Sequence, residues 1–144
     1  MTEVSFHFNA PDKVAYACRL LRKALASGAQ AVVTGDADTL ARLDVQLWTF
    51  GPTEFLPHCR AEDDAAVVAR SPVVLCASAG DAPARPVLVN LGDAVPRGFE
   101  RYERLIEVVT LDEADRLAAR PRWKHYADRG YAIVRHDLKL KESA

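Results

Sequence analysis

Residues 4–9, VSFHFN, alternate apolar and polar side chains, the period-two pattern of a half-buried strand. The pattern then lengthens. In APDKVAYACRLLRKALASG, Val14, Cys18, Leu21 and Leu25 fall at i, i+4, i+7 and i+11, which places them on one face of a helix. Pro11 stands near the first turn of that helix and Gly28 just past its end, the positions these two residues favour. QAVVTG (30–35) predicts a second strand. Asp36 is placed to cap a second helix, whose apolar stripe of Leu40, Leu43 and Leu47 runs up to Trp48.

The middle of the chain is less regular. TFGPTEFLPHCRAEDDA (49–65) mixes prolines, a glycine and an acidic cluster, and is expected to be mainly loop. PVVLCAS (72–78) and RPVLVNLG (85–92) are short continuous apolar runs bounded by turn residues, as in strands covered on both faces. AGDAPA (79–84), between them, reads as a polar, flexible connection. RLIEVVT (104–110) predicts another strand, 111–130 a helical region and YAIVRH (131–136) a closing strand. Strands alternating with helices predict an α/β fold: a Rossmann-like three-layer domain with a mainly parallel central sheet, formed by residues 1–144 as one unit.

The totals narrow the function classes. A chain of 144 residues with 49 % hydrophobic and 27 % charged content suffices for a core without metal or disulfide staples. Its net charge of -1 provides no global field for nucleic acid or an anionic membrane, so any basic function must be local. The N-terminal stretch lacks a signal-peptide pattern and no apolar run approaches membrane-spanning length, so a cytoplasmic protein is expected. Cys18, Cys59 and Cys76, odd in number and widely spaced, read as reduced thiols in the core.

A Rossmann-like pattern raises the possibility of a nucleotide enzyme, but the motifs are missing. The first strand-to-helix turn, FNAPDKV, has no G-x-G-x-x-G, and a proline stands where a glycine would approach a pyrophosphate. There is no P-loop and no G-x-S-x-G elbow. Asp36 and Asp38 would repel a phosphate after VVTG. His58 and Cys59 near Asp63 and Asp64 do not have the spaced ligand pairs of a zinc site, and His7, His125 and His136 stand singly. No catalytic residue, cofactor or metal is therefore expected. A degenerate Rossmann-like nucleotide-binding enzyme remains the rival reading.

Two surfaces carry unusual chemistry. On a helical wheel for residues 111–128, Leu111, Ala114, Ala118, Pro121 and His125 fall together as the core-facing stripe, with Leu117 on its border. Arg116, Arg120, Trp123 and Lys124 lie on roughly the opposite side, so the wheel predicts an outward-facing Trp123 flanked by three cations. An outward or half-exposed Trp123 is therefore expected, and Pro121 keeps open the competing arrangement in which the helix breaks and Trp123 turns into the core. Cations beside an aromatic edge suit carboxylates and an apolar side chain, and the nearby Asp112, Glu113, Asp115 and Asp128 make a nucleic-acid track a poorer fit than an acidic peptide with a hydrophobic anchor. The second surface is LDVQLWTFGPTEFLPH (43–58). Its Trp48, Phe50 and Phe55 suggest an exposed apolar patch for a permanent partner, the competing role being a satellite cluster that seals one end of the sheet.

These two stretches carry a resemblance. LDVQLWTFGPTEFLPH is similar to the signature of the chi subunits of bacterial DNA polymerase III holoenzyme, and RWKHYADRGYAIVRH (122–136) to the same family's C-terminal basic-aromatic stretch. The first strand, first helix and PVLVNL follow in the same order, so the resemblance covers essentially the whole chain. It implies a Rossmann-like, non-enzymatic accessory subunit of the clamp-loader complex, engaged with nucleic acid only indirectly. One face would bind the psi subunit, through Trp48 and Phe55. Another would bind the acidic, phenylalanine-ending C-terminal tail of single-stranded-DNA-binding protein, through Arg116, Arg120, Trp123 and Lys124. Trp123 stands where the family commonly has another aromatic residue and Arg116 where a lysine can occur. Pro121 departs from the family pattern inside the tail-binding helix.

Overall fold

The computed structural model describes residues 1–49 and 56–138, which form seven strands with helices on both faces of one sheet. In chain order the elements are β1 (Glu3–Ala10), α1 (Lys13–Ala26), β2 (Ala31–Thr34), α2 (Ala37–Trp48), β3 (Cys59–Arg60), α3 (Ala65–Arg70), β4 (Val73–Leu75), β5 (Val87–Asn90), β6 (Arg104–Thr110), α4 (Glu113–Asp128) and β7 (Ile133–Asp137). The sheet order is β3-β4-β2-β5-β6-β1-β7 and every pairing is parallel, so the expected mainly parallel three-layer architecture is found.

The helices begin where the sequence supplies a cap. Asp12, Asp36 and Asp112 stand at the N-caps of α1, α2 and α4, and each carboxylate accepts a backbone N–H of the first turn. Helix α1 ends at Ser27, followed by Gly28 at φ 83°, a conformation that L side chains rarely adopt. Val14, Cys18 and Leu21 of α1 and Leu40, Leu43 and Leu47 of α2 are buried together over one sheet face, as their spacing predicts. The other face packs Phe6, Leu88 and Leu105 against Phe99, Tyr102 and Tyr126, bringing in α4 and the segments around it. All three cysteines are free and buried.

Three regions differ from the sequence reading. The segment 49–65, expected to be mainly loop, contains the short edge strand β3 and the start of α3, while residues 50–55, including Phe50 and Phe55, lie outside the described residues. The 79–84 connection is not a loose loop. Ala79–Asp81 forms a 3-10 turn with Ala79 and Ala82 buried, and the Arg101 guanidinium donates to the Gly80 and Ala82 carbonyls at 2.8 and 2.7 Å. This two-pronged clamp satisfies carbonyls that irregular backbone would otherwise leave unpaired.

The third difference is in α4. It runs unbroken through Pro121, and its buried residues are Ala119, Arg122 and Tyr126 rather than the expected stripe of Leu111, Ala114, Ala118, Pro121 and His125. Leu111 and Leu117 are in fact about half exposed. The wheel fails because the strongest anchor on this helix is charged: Arg122 is buried, so a count of apolar residues assigns the wrong phase. Pro121 is tolerated on the exposed side, and Arg122 Nη1 donates at 3.1 Å to the Ala118 carbonyl in the turn before it.

Candidate functional site

Parallel register builds one wall of the site. Phe6 of β1 lies level with Glu107 of β6 and with Arg135 of β7, so all three side chains point to the α4 side of the sheet. Phe8, two residues on, shares that face and is followed by Asn9 at φ 66°, where the β1–β6 register shifts. Asn9 tolerates the left-handed region and donates to Asp137 of β7 at 2.9 Å, tying the end of β1 to the edge strand.

Helix α4 closes the opposite side. Trp123 takes a place within the outward or half-exposed arrangement expected for it, rather than turning fully into the core. It is half-buried and its ring packs on Phe6 at a centroid distance of 4.9 Å. The true inward stripe, Ala119–Arg122–Tyr126, puts Trp123 on its border, with one face on the core and one on a pocket of about 430 Å³. Phe6, Phe8 and Trp123 make the aromatic walls, Val109 and Ala119 the apolar floor, and Arg116, Arg120 and Arg135 the rim. None of these lining residues is acidic. Among the described residues, Arg116, Arg120 and Arg135 have no carboxylate partner, whereas Arg42, Arg60, Arg104 and Arg122 each pair with one.

The structure thus brings Arg116, Arg120 and Trp123 of the expected site into one cavity and leaves Lys124 outside its lining. Lys124 is exposed and pairs with Asp128 at 2.7 Å, one helical turn on, which holds the Asp128 carboxyl below its usual range. The sequence reading missed Phe6, Phe8 and Arg135. Their signal was the alternation in VSFHFN, which puts residues 6 and 8 on one face, together with the chance that the closing strand would pair beside them.

Beneath the pocket wall lies a sealed polar network. Glu107 Oε1 accepts from Arg122 Nε at 3.1 Å and from Asn90 Nδ2 at 2.8 Å, and Oε2 accepts from the Tyr126 hydroxyl at 2.6 Å. Burial pushes the Glu107 carboxyl up from its ordinary range, opposed by the Arg122 charge and by these hydrogen bonds. Burial and the neighbouring Glu107 likewise push the Tyr126 hydroxyl up. Arg122 Nη1 also donates to the Asp93 carbonyl at 3.0 Å, so one side chain fixes α4, β6 and the segment after β5. The network sets the rotation of α4, and hence where Arg116, Arg120 and Trp123 point.

The carboxyl ends of the strands, where a doubly wound sheet would hold a nucleotide, are differently built. The N-terminal amides of α1, α2 and α4 are engaged by Asp12, Asp36 and Asp112 at 2.9, 2.7 and 3.4 Å. Lys13 crosses the crevice to Asp115 at 2.8 Å and to the Leu91 carbonyl at 3.3 Å. Helix starts that would attract a phosphate instead carry carboxylates.

A family model described as DNA polymerase III chi subunit, HolC, matches residues 1–134. The chain belongs to the DNA polymerase III chi subunit family. It is 33% identical to DNA polymerase III subunit chi of Pseudomonas aeruginosa over 145 residues, covering 96% of this chain and 98% of that protein. It is 25% identical to DNA polymerase III subunit chi of Haemophilus influenzae over 119 residues, 81% of either chain.

On this chi-family fold the second expected surface lies on the other layer. Trp48, the last residue of α2, is 59% exposed, and Val45, one turn earlier, is 63% exposed. The Trp48 ring meets His58 edge-on at 5.4 Å, and His58 is fixed by Asp44 at 2.6 Å and by the Leu56 carbonyl at 2.7 Å. Phe55, its expected companion, lies outside the described residues. Among the described residues there is no cluster of three or more metal-ligating side chains and no helix long and apolar enough to cross a membrane.

Proposed function

We propose that this replication accessory subunit tethers the DNA polymerase III clamp-loader assembly to the C-terminal tail of single-stranded-DNA-binding protein, and that it binds the psi subunit through a separate surface. The observation that carries the reading is the pocket between α4 and β1–β7: aromatic walls, an apolar floor and three arginines without carboxylate partners among the described residues. An acidic peptide ending in an aromatic residue complements it throughout. The terminal ring fits between Phe6, Phe8 and Trp123, while the arginine rim receives the carboxylates by charge-assisted hydrogen bonds. Lys124, on the outer side of the same helix, adds attraction at longer range.

Binding by one short tail is expected to be about micromolar, and many tails coating one template raise the effective concentration. The psi-facing patch is assigned to Val45 and Trp48 on α2, with Phe55. Helices α2 and α4 pack on opposite faces of the sheet, so both partners fit at once.

Titration of the chain with a peptide of aspartates ending in proline and phenylalanine tests the reading. Saturable binding that shifts Trp123 and Arg120 resonances supports it. Absence of binding at a peptide concentration of about 1 mM, well above the expected dissociation constant, would overturn it.

A further inference from the structure

A second cavity, of about 610 Å³, lies on the face of the sheet opposite α4, along one flank of α1. Ala31, Val87, Val89 and Ile106 make its aliphatic floor, and Leu20 and Ala24 its wall on α1. His7 falls between Phe6 and Phe8 on β1, so it points away from them and into this cavity, level with His136 of β7. It is 7% exposed, its ring lies 4.4 Å from that of His136, and its Nδ1 shares a hydrogen bond with the Tyr16 hydroxyl. Burial pushes that hydroxyl up, against the pull of the Arg19 charge, so the phenol keeps its proton. A phenol and a neutral imidazole carry two polar protons, and their mutual bond uses one. Whichever tautomer His7 adopts, the pair retains an N–H or O–H to donate to a third group.

The charges around this cavity have one sign. Arg19 and Lys23 stand one helical turn apart on α1, both exposed and, among the described residues, without a carboxylate partner. Arg104, at the start of β6, is only loosely met by Glu3 at 3.9 Å. None of the described lining residues is acidic. The Arg19 guanidinium carbon lies 5.8 Å from the Tyr16 ring centroid, which sets that cation beside the His7–Tyr16 pair.

We infer that this cavity binds a small anionic amphiphile, a carboxylate on an unbranched aliphatic chain. The chain lies along the aliphatic floor under α1, and the carboxylate meets Arg19 and the remaining donor of the His7–Tyr16 pair. A mostly apolar cavity of roughly 300–1,000 Å³ with a few convergent polar groups is the usual form of a small-ligand site. A partner helix, about 10–12 Å across with its side chains, would exceed the available volume within two turns.

Titration of the full chain with sodium octanoate and with octanol, its uncharged counterpart, tests the inference through the methyl resonances of Val89 and Ile106. Wild type is expected to bind octanoate saturably and at least about fivefold more tightly than octanol. Arg19→Gln should bring the two within about twofold, and Ala24→Phe, which fills the groove from α1, should lose both. Thermal unfolding verifies each fold, and Arg19→Gln, at an exposed position, keeps the comparison even if Ala24→Phe does not fold. Absence of saturable shifts at about 3 mM octanoate overturns the site, and equal binding of acid and alcohol by wild type overturns the anionic specificity. Shifts confined to Phe6, Phe8 and Trp123 place the ligand in the other pocket and also refute the site. Octanoate binding only to a chain shortened to residues 1–138 would assign the groove to this chain's own C-terminal residues, and a dimer that octanoate dissociates would assign it to a second copy. Either result overturns the proposal.

Discussion

Arg122 and Glu107 form an ion pair at 3.1 Å with side chains 1% and 0% exposed, joining α4 to the middle of the sheet. Such a pair costs desolvation on both sides, but removing one partner leaves the other charge buried and uncompensated. Arg122→Ala is therefore expected to destabilise the protein by about 3–5 kcal/mol, and Tyr126→Phe, which removes one hydrogen bond to the carboxylate, by about 1.5–3 kcal/mol. Urea denaturation followed by circular dichroism measures both. Values below about 1 kcal/mol for Arg122→Ala would mean that the network does not fix α4.

This pair also marks where the sequence stopped being legible. Apolar periodicity sufficed for α1 and α2, whose buried residues are nearly all aliphatic, and short apolar runs sufficed for β2, β4 and β5. It failed for α4 because the anchors there are Arg122 and the hydroxyl-bearing Tyr126, which a hydrophobicity wheel counts against burial or ignores. The clue was the single acid in RLIEVVT: a glutamate inside a strand buried on both faces needs a cation, and the next helix offers one. Strand β3 and helix α3 were missed because two-residue pairing and a six-residue helix depend on neighbours rather than on their own pattern. The site was half legible. Residues on one helix could be grouped by spacing, but Phe6, Phe8 and Arg135 join them only through the order of strands, which no local pattern encodes.

A second prediction concerns acid stability. Burial alone would push Asp115 up, but the Lys13 ammonium at 2.8 Å and the Thr110 amide at 2.7 Å outweigh it and hold its carboxyl below the ordinary value. A folded-state pKa below the unfolded one, about 3.9 for aspartate, contributes stability above that value and loses it as pH falls through the folded pKa. Wild type should therefore lose stability between about pH 4 and the lower folded value more steeply than Asp115→Asn, which carries no titrating carboxyl there. Melting temperatures across pH 2–6 compare the two chains, and parallel curves would show that the pair contributes nothing to acid stability.

A third prediction separates the two surfaces. Trp48→Ala removes an exposed ring from α2 without opening the core, so the fold and peptide binding are expected to persist while co-purification with psi is lost. Phe55→Ala is expected to behave alike. Pull-down with psi and peptide titration are run on the same preparations. Loss of both activities in a correctly folded Trp48→Ala chain would refute separate surfaces, because α2 and α4 lie on opposite sides of the sheet.

The last prediction orders the residues of the pocket. Trp123→Ala removes a wall and Arg120→Ala a rim charge that lacks a carboxylate partner among the described residues, and each is expected to weaken the acidic phenylalanine-ending peptide at least tenfold. Arg116→Ala is expected to weaken it comparably. Lys124→Ala should cost only about twofold, since the side chain lies outside the cavity, pairs with Asp128 and attracts the peptide through solvent. Salt distinguishes the two kinds of contribution. Raising ionic strength from about 0.05 to 0.5 M shortens the screening length from roughly 14 to 4 Å, so affinity should fall in wild type and the Lys124→Ala effect should vanish at the upper end. The arginine effects are expected to survive there in part, because charge-assisted hydrogen bonds to the peptide's carboxylates would act at contact distance. Trp48→Phe in the background leaves Trp123 as the sole tryptophan and lets its emission report occupancy of the pocket directly. A Lys124→Ala loss as large as that of Arg120→Ala, at any salt, would move the peptide out of the cavity and onto the outer face of α4.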